Sequence, residues 1–273
     1  GGGVLYSEAS ESLRQFAEAA GIAVAETQAG KSAIPWDHPL AVGAIGATGT
    51  LAANRLARQA DLVIAIGTRL SDFTTMSNSA FAHPEVRFVG INVCEMDAFK
   101  HAAIPVVADA RVAIDEIAAL ARGFTTGADY RQTVEALRRE WNTECDRLTA
   151  ASMTRAPFVQ SELVGAVNAF ARPQDVVVGA AGSLPGDLHK LWRAREPNTY
   201  HLEYGYSCMG YEIAGGLGVK MADPLRDVFV MVGDGSYLMM AQEIVTSIQE
   251  GFKLIIVLLD SHGYASIGGL SRS

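Results

Sequence analysis

The chain has 273 residues, 49% of them apolar and 19% charged, with a formal net charge of −8. That suffices for one large or two ordinary globular domains and carries no signature of disorder. A nucleic-acid or anionic-membrane partner needs a basic face, which this balance excludes as a leading reading; a phosphorylated ligand stays open, because backbone N–H groups and a metal can hold phosphate.

Taken in chain order, short β-rich runs alternate with helical ones. "GGGVLYS" reads as a strand, and "SESLRQFAEAAG" as a helix with Leu13, Phe16 and Ala20 on one face and Gly21 as its stop. "IAVAETQ" is the next strand, followed by the Gly/Pro-rich loop "AGKSAIPWDHP". "TGTLAANRLARQA" predicts a helix, "DLVIAIGT", "VRFVGINV" and "IPVVAD" predict strands, and "ARVAIDEIAALARG" closes this part as a helix. Strands apolar throughout and alternating with helices indicate a parallel sheet covered on both faces.

Residues 123–156 are polar, charged and mostly helical in pattern, which reads as a linker. A second α/β part then follows: the helix "FVQSELVGAVNAFARP", the strand and Gly-rich turn "DVVVGAAGS", and the small-residue helix "SCMGYEIAGGLGVKMA". "DVFVMVGDGS" is a strand and turn, "YLMMAQEIVTSIQEG" a single helix, and "KLIIVLLDSHGYASI" a strand with its exit loop. The fold class expected is α/β, with two doubly wound parallel-sheet domains joined by a helical linker. The boundaries are 1–122 for a central Rossmann-like domain, 123–156 for the linker and 157–273 for a diphosphate-binding domain that is incomplete at its C-terminus.

Asp234, between Gly233 and Gly235, poses a choice. Asp-Gly between apolar segments is the strongest short-range hairpin signal. A hairpin needs a strand next, yet Leu238, Ala241, Val245, Ile248 and Phe252 recur at helical spacing. Asp234 is therefore expected at the carboxyl end of a parallel strand and before a helix, where open α/β sheets bind ligands. A helix start attracts phosphate, and glycine lets backbone approach closely. If Asp234 holds a hard cation, the loop after the next strand is the natural second donor, with the Ser261 hydroxyl and the Gly263 carbonyl.

This pattern of GDG, helix, strand and oxygen-bearing loop resembles the diphosphate-binding motif of thiamine diphosphate (ThDP)-dependent enzymes. "YSCMGYEIAGGLG" is similar to the family segment that carries a bulky apolar residue under the cofactor. "GGGVLYSEA", "ETQAGKSAIPWDHPL" and "ATGTLAANRLARQADLVIAIGTRLSDFTT" resemble the central domain of the acetolactate-synthase-like branch. The resemblance covers nearly the whole chain. It implies Mg2+ held by Asp234, Ser261 and the Gly263 carbonyl, although the family usually has Asn where Ser261 stands. Gly233, Gly235 and Ser236 would lie along the diphosphate, and Met209, the one residue assigned a catalytic part, would wedge between the two rings. The Ser207 carbonyl would hold the aminopyrimidine, Gly182 and Ser183 would border the cofactor, and His262 would stand beside it.

By the same resemblance the parent is a C–C bond hydrolase opening a cyclic 1,2-diketone in inositol breakdown, and a homo-oligomer. The alternatives are an acetolactate-synthase-like carboligase or a non-catalytic nucleotide-binding or assembly module. The family's activating glutamate belongs to an N-terminal pyrimidine-binding domain. The chain is expected to be a portion lacking that domain, and inactive alone.

Simpler readings accompany several residues. Met209 is also a plausible core filler. His262 reads equally as a solvated loop histidine, His189 and His201 read more readily as satisfied or surface histidines than as borders of a substrate cavity, and Lys31 and Arg69 read as structural residues at sheet ends. "GAIGATGT" is a weak dinucleotide-binding signal. Cys94, Cys145 and Cys208 lack metal-type spacing and suit a reduced, cytoplasmic setting. The longest apolar runs are too short to cross a bilayer.

Overall fold

The computed structural model describes residues 1–152, 159–203, 205–264 and 266. Residues 153–156 at the end of the expected linker, residue 157, Phe158 at the start of the expected helix, residues 204 and 265, and those beyond Ser266 lie outside the described residues. The chain divides into two compact units, Gly1–Arg147 with Arg193–Pro197, and Leu148–Trp192 with Asn198–Ser273.

The first unit opens with helix α1 (Gly2–Tyr6), where the sequence reads as a strand. A short apolar run does not separate the two states. Here the glycines let α1 lie against the backbone of Gly67, to whose carbonyl Gly3 N–H donates at 3.0 Å; a Cβ on Gly3 would stand 2.6 Å from the Gly67 Cα. Helix α2 (Ser10–Ala20) stops at Gly21 in the left-handed region, φ 67°. Strands β1 (Val24–Glu26) and β2 (Ala41–Ala44) form a parallel pair. Helix α3 (Leu51–Gln59) starts where the Thr50 hydroxyl accepts the Ala53 N–H at 3.0 Å.

Strand β3 (Leu62–Ile66), helix α4 (Asp72–Thr75), strand β4 (Arg87–Asn92), helix α5 (Glu95–Ala98) and strand β5 (Ile104–Val107) follow. They build a second parallel sheet in chain order, β3-β4-β5. Helix α6 (Ala110–Leu120) is capped by the Asp109 carboxylate, and its Ile114 joins Val4, Leu13, Phe16, Ile66 and Ile91 in one core. Helix α7 (Ala128–Thr149) accounts for much of the stretch read as a linker. Its Val134 is buried with Val42, Ile45, Ala52 and Ala53, so by packing most of α7 is part of the first unit.

The second unit contains helix α8 (Gln160–Phe170), strand β6 (Val176–Gly179), helix α9 (Leu184–Leu191) and strand β7 (Tyr200–Leu202). Helix α10 (Tyr211–Ala222), strand β8 (Val228–Gly233), helices α11 (Asp234–Met239) and α12 (Glu243–Gln249), and strand β9 (Ile255–Leu259) complete it. All pairings are parallel, in the order β7-β6-β8-β9. The chain leaves β6 for β7 on one side and returns to β8 on the other, so the winding reverses between β6 and β8. Val176, Val178, Val228, Val230 and Val232 face Ile213 of α10 in a core in which each is nearly fully buried.

The helix expected over 237–251 is two helices. Met240 leaves helical geometry at φ −146°, ψ 61°. Its side chain lies over Gly210, 2.9 Å from where a Cβ would stand. Three residues of the apolar stripe read from spacing face outward: Leu238, Val245 and Ile248 are 80%, 57% and 74% exposed. Tyr237, Ala241 and Ile244 pack on the sheet instead.

Candidate functional site

In open parallel sheets, ligands bind beyond the carboxyl ends of strands where the winding reverses. Here those ends are the β6 exit, Ala180–Ser183, and the β8 exit, Gly233–Ser236. Both border open space: no described atom comes within 4 Å of where a Cβ would stand on Gly182 or Gly233. Gly182 also adopts φ 92°, a conformation that favours glycine. Ser183 is exposed just before α9.

Asp234 is the first residue of α11, and the loop after β9 folds back onto it. Gly263 N–H donates to Asp234 Oδ2 at 2.7 Å. Ser261 Oγ stands 3.1 Å from Asp234 Oδ1 and 3.0 Å from the Gly263 carbonyl oxygen. The Gly263 N–H, foremost, and the Ser261 hydroxyl hold the Asp234 carboxyl below its ordinary pKa range. The three residues expected to bind metal are thus brought together as a carboxylate, a hydroxyl and a carbonyl, all hard donors. Neighbouring ligands of an octahedral Mg2+ at about 2.1 Å are roughly 3.0 Å apart. The two separations from the Ser261 hydroxyl, 3.1 Å to Asp234 and 3.0 Å to the Gly263 carbonyl, match that spacing.

Gly235 lies between Met209 and Tyr264. A Cβ there would be 3.6 Å from the Met209 Cε and 2.8 Å from the Tyr264 ring. Met209, partly buried, therefore stands beside the GDGS corner. The loop leading to it is shaped by Glu203, which accepts the N–H groups of Cys208 at 2.8 Å and Tyr206 at 3.1 Å. Burial would raise the Glu203 pKa, but those N–H groups outweigh it and hold the carboxyl below its ordinary value. Ser207, exposed within this loop, takes φ 54°.

Two expected residues are placed differently. His262 does not join the cluster: its side chain is 89% exposed, with Nδ1 3.1 Å from the Asp260 carboxylate. Ser236 lies at the corner, but it is buried, 3% exposed, with its side chain turned inward. Its hydroxyl meets Glu212, with Oγ 2.8 and 2.7 Å from the two carboxylate oxygens. Sequence reasoning missed Glu212, because an acidic residue in a first helical turn is ordinary; the available signal was its place in the small-residue helix. His201 Nε2 lies 2.6 Å from the Tyr211 hydroxyl, and burial pushes its pKa down. His189 is buried in α9.

Residues 1–117 match the family described as "Thiamine pyrophosphate enzyme, central domain", and residues 180–273 match "Thiamine pyrophosphate enzyme, C-terminal TPP binding domain". The chain belongs to the thiamine pyrophosphate (ThDP) enzymes.

Among curated proteins it is similar to 3D-(3,5/4)-trihydroxycyclohexane-1,2-dione hydrolase 2 of Bacillus cereus, 46% identical over 293 residues. The hydrolase of that name from Bacillus thuringiensis (strain Al Hakam) is 46% identical over 301 residues, and one from Bacillus anthracis 44% over 293. Each alignment takes in 99% of this chain and 46% of the relative, so the chain spans about half the length of these proteins. Among the described residues no helix is long and apolar enough to cross a membrane.

Proposed function

We propose that the protein carrying this chain is a ThDP- and Mg2+-dependent C–C bond hydrolase that opens the ring of trihydroxycyclohexane-1,2-dione in inositol breakdown. The observation that carries this reading is the 46% identity to hydrolases of that name across nearly the whole chain. The oxygen cluster at Asp234 supports the metal. Asp234, Ser261 and the Gly263 carbonyl would hold Mg2+, and the N–H groups of Gly235 and Ser236 would meet the diphosphate. Met209 would press on the cofactor from beside Gly235, with the Ser207 carbonyl and the Gly182–Ser183 turn at its border. Bound there, ThDP would supply the electron sink for breaking a C–C bond beside a carbonyl. The chain's own contribution is placement: charge at Asp234 for the cation, backbone donors for the anion, and an apolar wall at Met209.

A cytoplasmic setting fits the three free cysteines, Cys94, Cys145 and Cys208. A homo-oligomeric parent is part of this reading and rests on family likeness alone.

Ring opening of the dione by the protein, lost when either ThDP or Mg2+ is withheld, is the expected outcome. Turnover without ThDP would overturn the reading, and condensation with a second carbonyl compound in place of hydrolysis would replace it with a carboligase. Ser261 gives a finer test by metal titration. Ser261→Ala is expected to weaken Mg2+ by about tenfold, a loss that even an outer partner of a metal site can produce. Ser261→Asn, which keeps an oxygen donor, should bind at least as well as wild type.

A further inference from the structure

Glu212 is 1% exposed and Ser236 3% exposed, yet both are polar and one is ionisable. Burying a carboxylate is costly unless hydrogen bonds compensate it. Here they converge from three separate segments. Gly210 N–H reaches Glu212 Oε2 at 3.0 Å and Ser236 Oγ at 2.7 Å. Ser236 Oγ in turn touches both carboxylate oxygens, and Ala181 N–H points at Oε1 from 3.4 Å.

Those segments are the β6 exit next to Gly182, the Met209–Gly210 turn, and the GDGS corner. Each is a stretch to which the ThDP reading assigns cofactor contacts, yet Glu212 itself faces inward. A favourable interaction with the start of α10 does not explain it, because that needs no burial. An apolar side chain would fill the same space at lower cost but would leave the Gly210 N–H and the Ser236 hydroxyl with fewer partners. Gly210 takes φ 90°, a conformation that glycine allows, and its N–H is directed at Glu212 and Ser236.

We propose that Glu212 is a positioning residue for the cofactor site, tying the Met209–Gly210 turn to Ser236 and so setting the register between the Met209 side chain and the diphosphate corner. This rests on the ThDP reading. The carboxylate acts through hydrogen bonds to Gly210 and Ser236 and does not touch the ligand.

The test is calorimetric titration of ThDP in the presence of MgCl2 into the whole protein that carries this chain, with thermal unfolding of each ligand-free variant alongside. Glu212→Ala and Ser236→Ala are each expected to weaken ThDP about tenfold, the scale of losing an outer-shell partner. Because the two act as one unit, the double variant should be no weaker than the worse single variant, whereas independent losses would multiply. Glu212→Gln should come back to within about threefold of wild type, since its amide keeps an acceptor and offers a donor to Ser236.

Unchanged affinity in Glu212→Ala, or multiplying losses in the double variant, overturns the proposal. If Glu212→Ala does not fold, Ser236→Ala and Glu212→Gln decide: wild-type affinity in Ser236→Ala overturns it, and the expected losses support it. A wild-type whole protein that takes up no ThDP ends the cofactor reading and this proposal together; wild-type uptake with unaffected variants ends this proposal alone.

Discussion

Asp234→Ala is expected to remove Mg2+-dependent ThDP binding, weakening it by more than about 100-fold, because changes outside a metal's first shell already cost about 10–100-fold. The carboxylate is the only charged member of the three-oxygen cluster, and its two partners, a hydroxyl and a carbonyl, are neutral. It also anchors the loop after β9, through the Gly263 N–H at 2.7 Å and the Ser261 hydroxyl at 3.1 Å. Both losses act on one event, since a cation needs the anion and the anion gathers the other donors. Titration of ThDP with and without MgCl2 reads the effect directly. Wild-type affinity in the variant would mean that the corner is not the site. The ligand-free variant should unfold near the wild-type temperature, because the cluster lies at the surface.

Gly216→Val carries the largest expected effect on stability. Gly216 is buried in α10 where that helix crosses β8, and an added Cβ would sit 2.4 Å from the Val230 Cγ2. Val230 is fully buried in a strand flanked by β6 and β9, so it has nowhere to retreat. Replacing a helical glycine ordinarily gains up to about 1 kcal/mol. Overpacking a core costs about 1–3 kcal/mol, and a β-branched side chain in a helix adds crowding. The clash wins, and a net loss of about 2 kcal/mol should appear as a lower denaturant midpoint at unchanged slope. Gly218→Ala in the same helix is the control: it has no described neighbour within 4 Å of its Cβ position and should stabilise slightly. Equal midpoints for the two variants would remove the close-packing explanation.

Buried strands such as those in "DVVVG" and "DVFVMVG" could be read from sequence because a strand covered on both faces is apolar throughout. The place of Asp234 followed from the same logic, since an acidic residue between glycines ends such a run. Strands β2, "AVGA", and β7, "YHL", went unread; each is short, and neighbouring strands decide its pairing. The break at Met240 and the outward stripe of α11 and α12 were hidden because apolar residues occupy nearly every face there, so periodicity alone could not choose the buried one. The inward turn of Ser236 was hidden for another reason. Its partner Glu212 is 24 residues away, and no local pattern joins them.

The oxygen cluster is assembled across a crossover: Asp234 opens α11, and Ser261, 27 positions later, follows β9. In the unfolded chain these groups are no closer than any loop of that length leaves them, so no ready-made cation site exists there. A ligand that bridges them binds only after β9 has docked beside β8. By mass action such a ligand would stabilise the folded second unit in proportion to the logarithm of its concentration. The supply of metal and cofactor would then govern how long the protein lasts as well as what it can do.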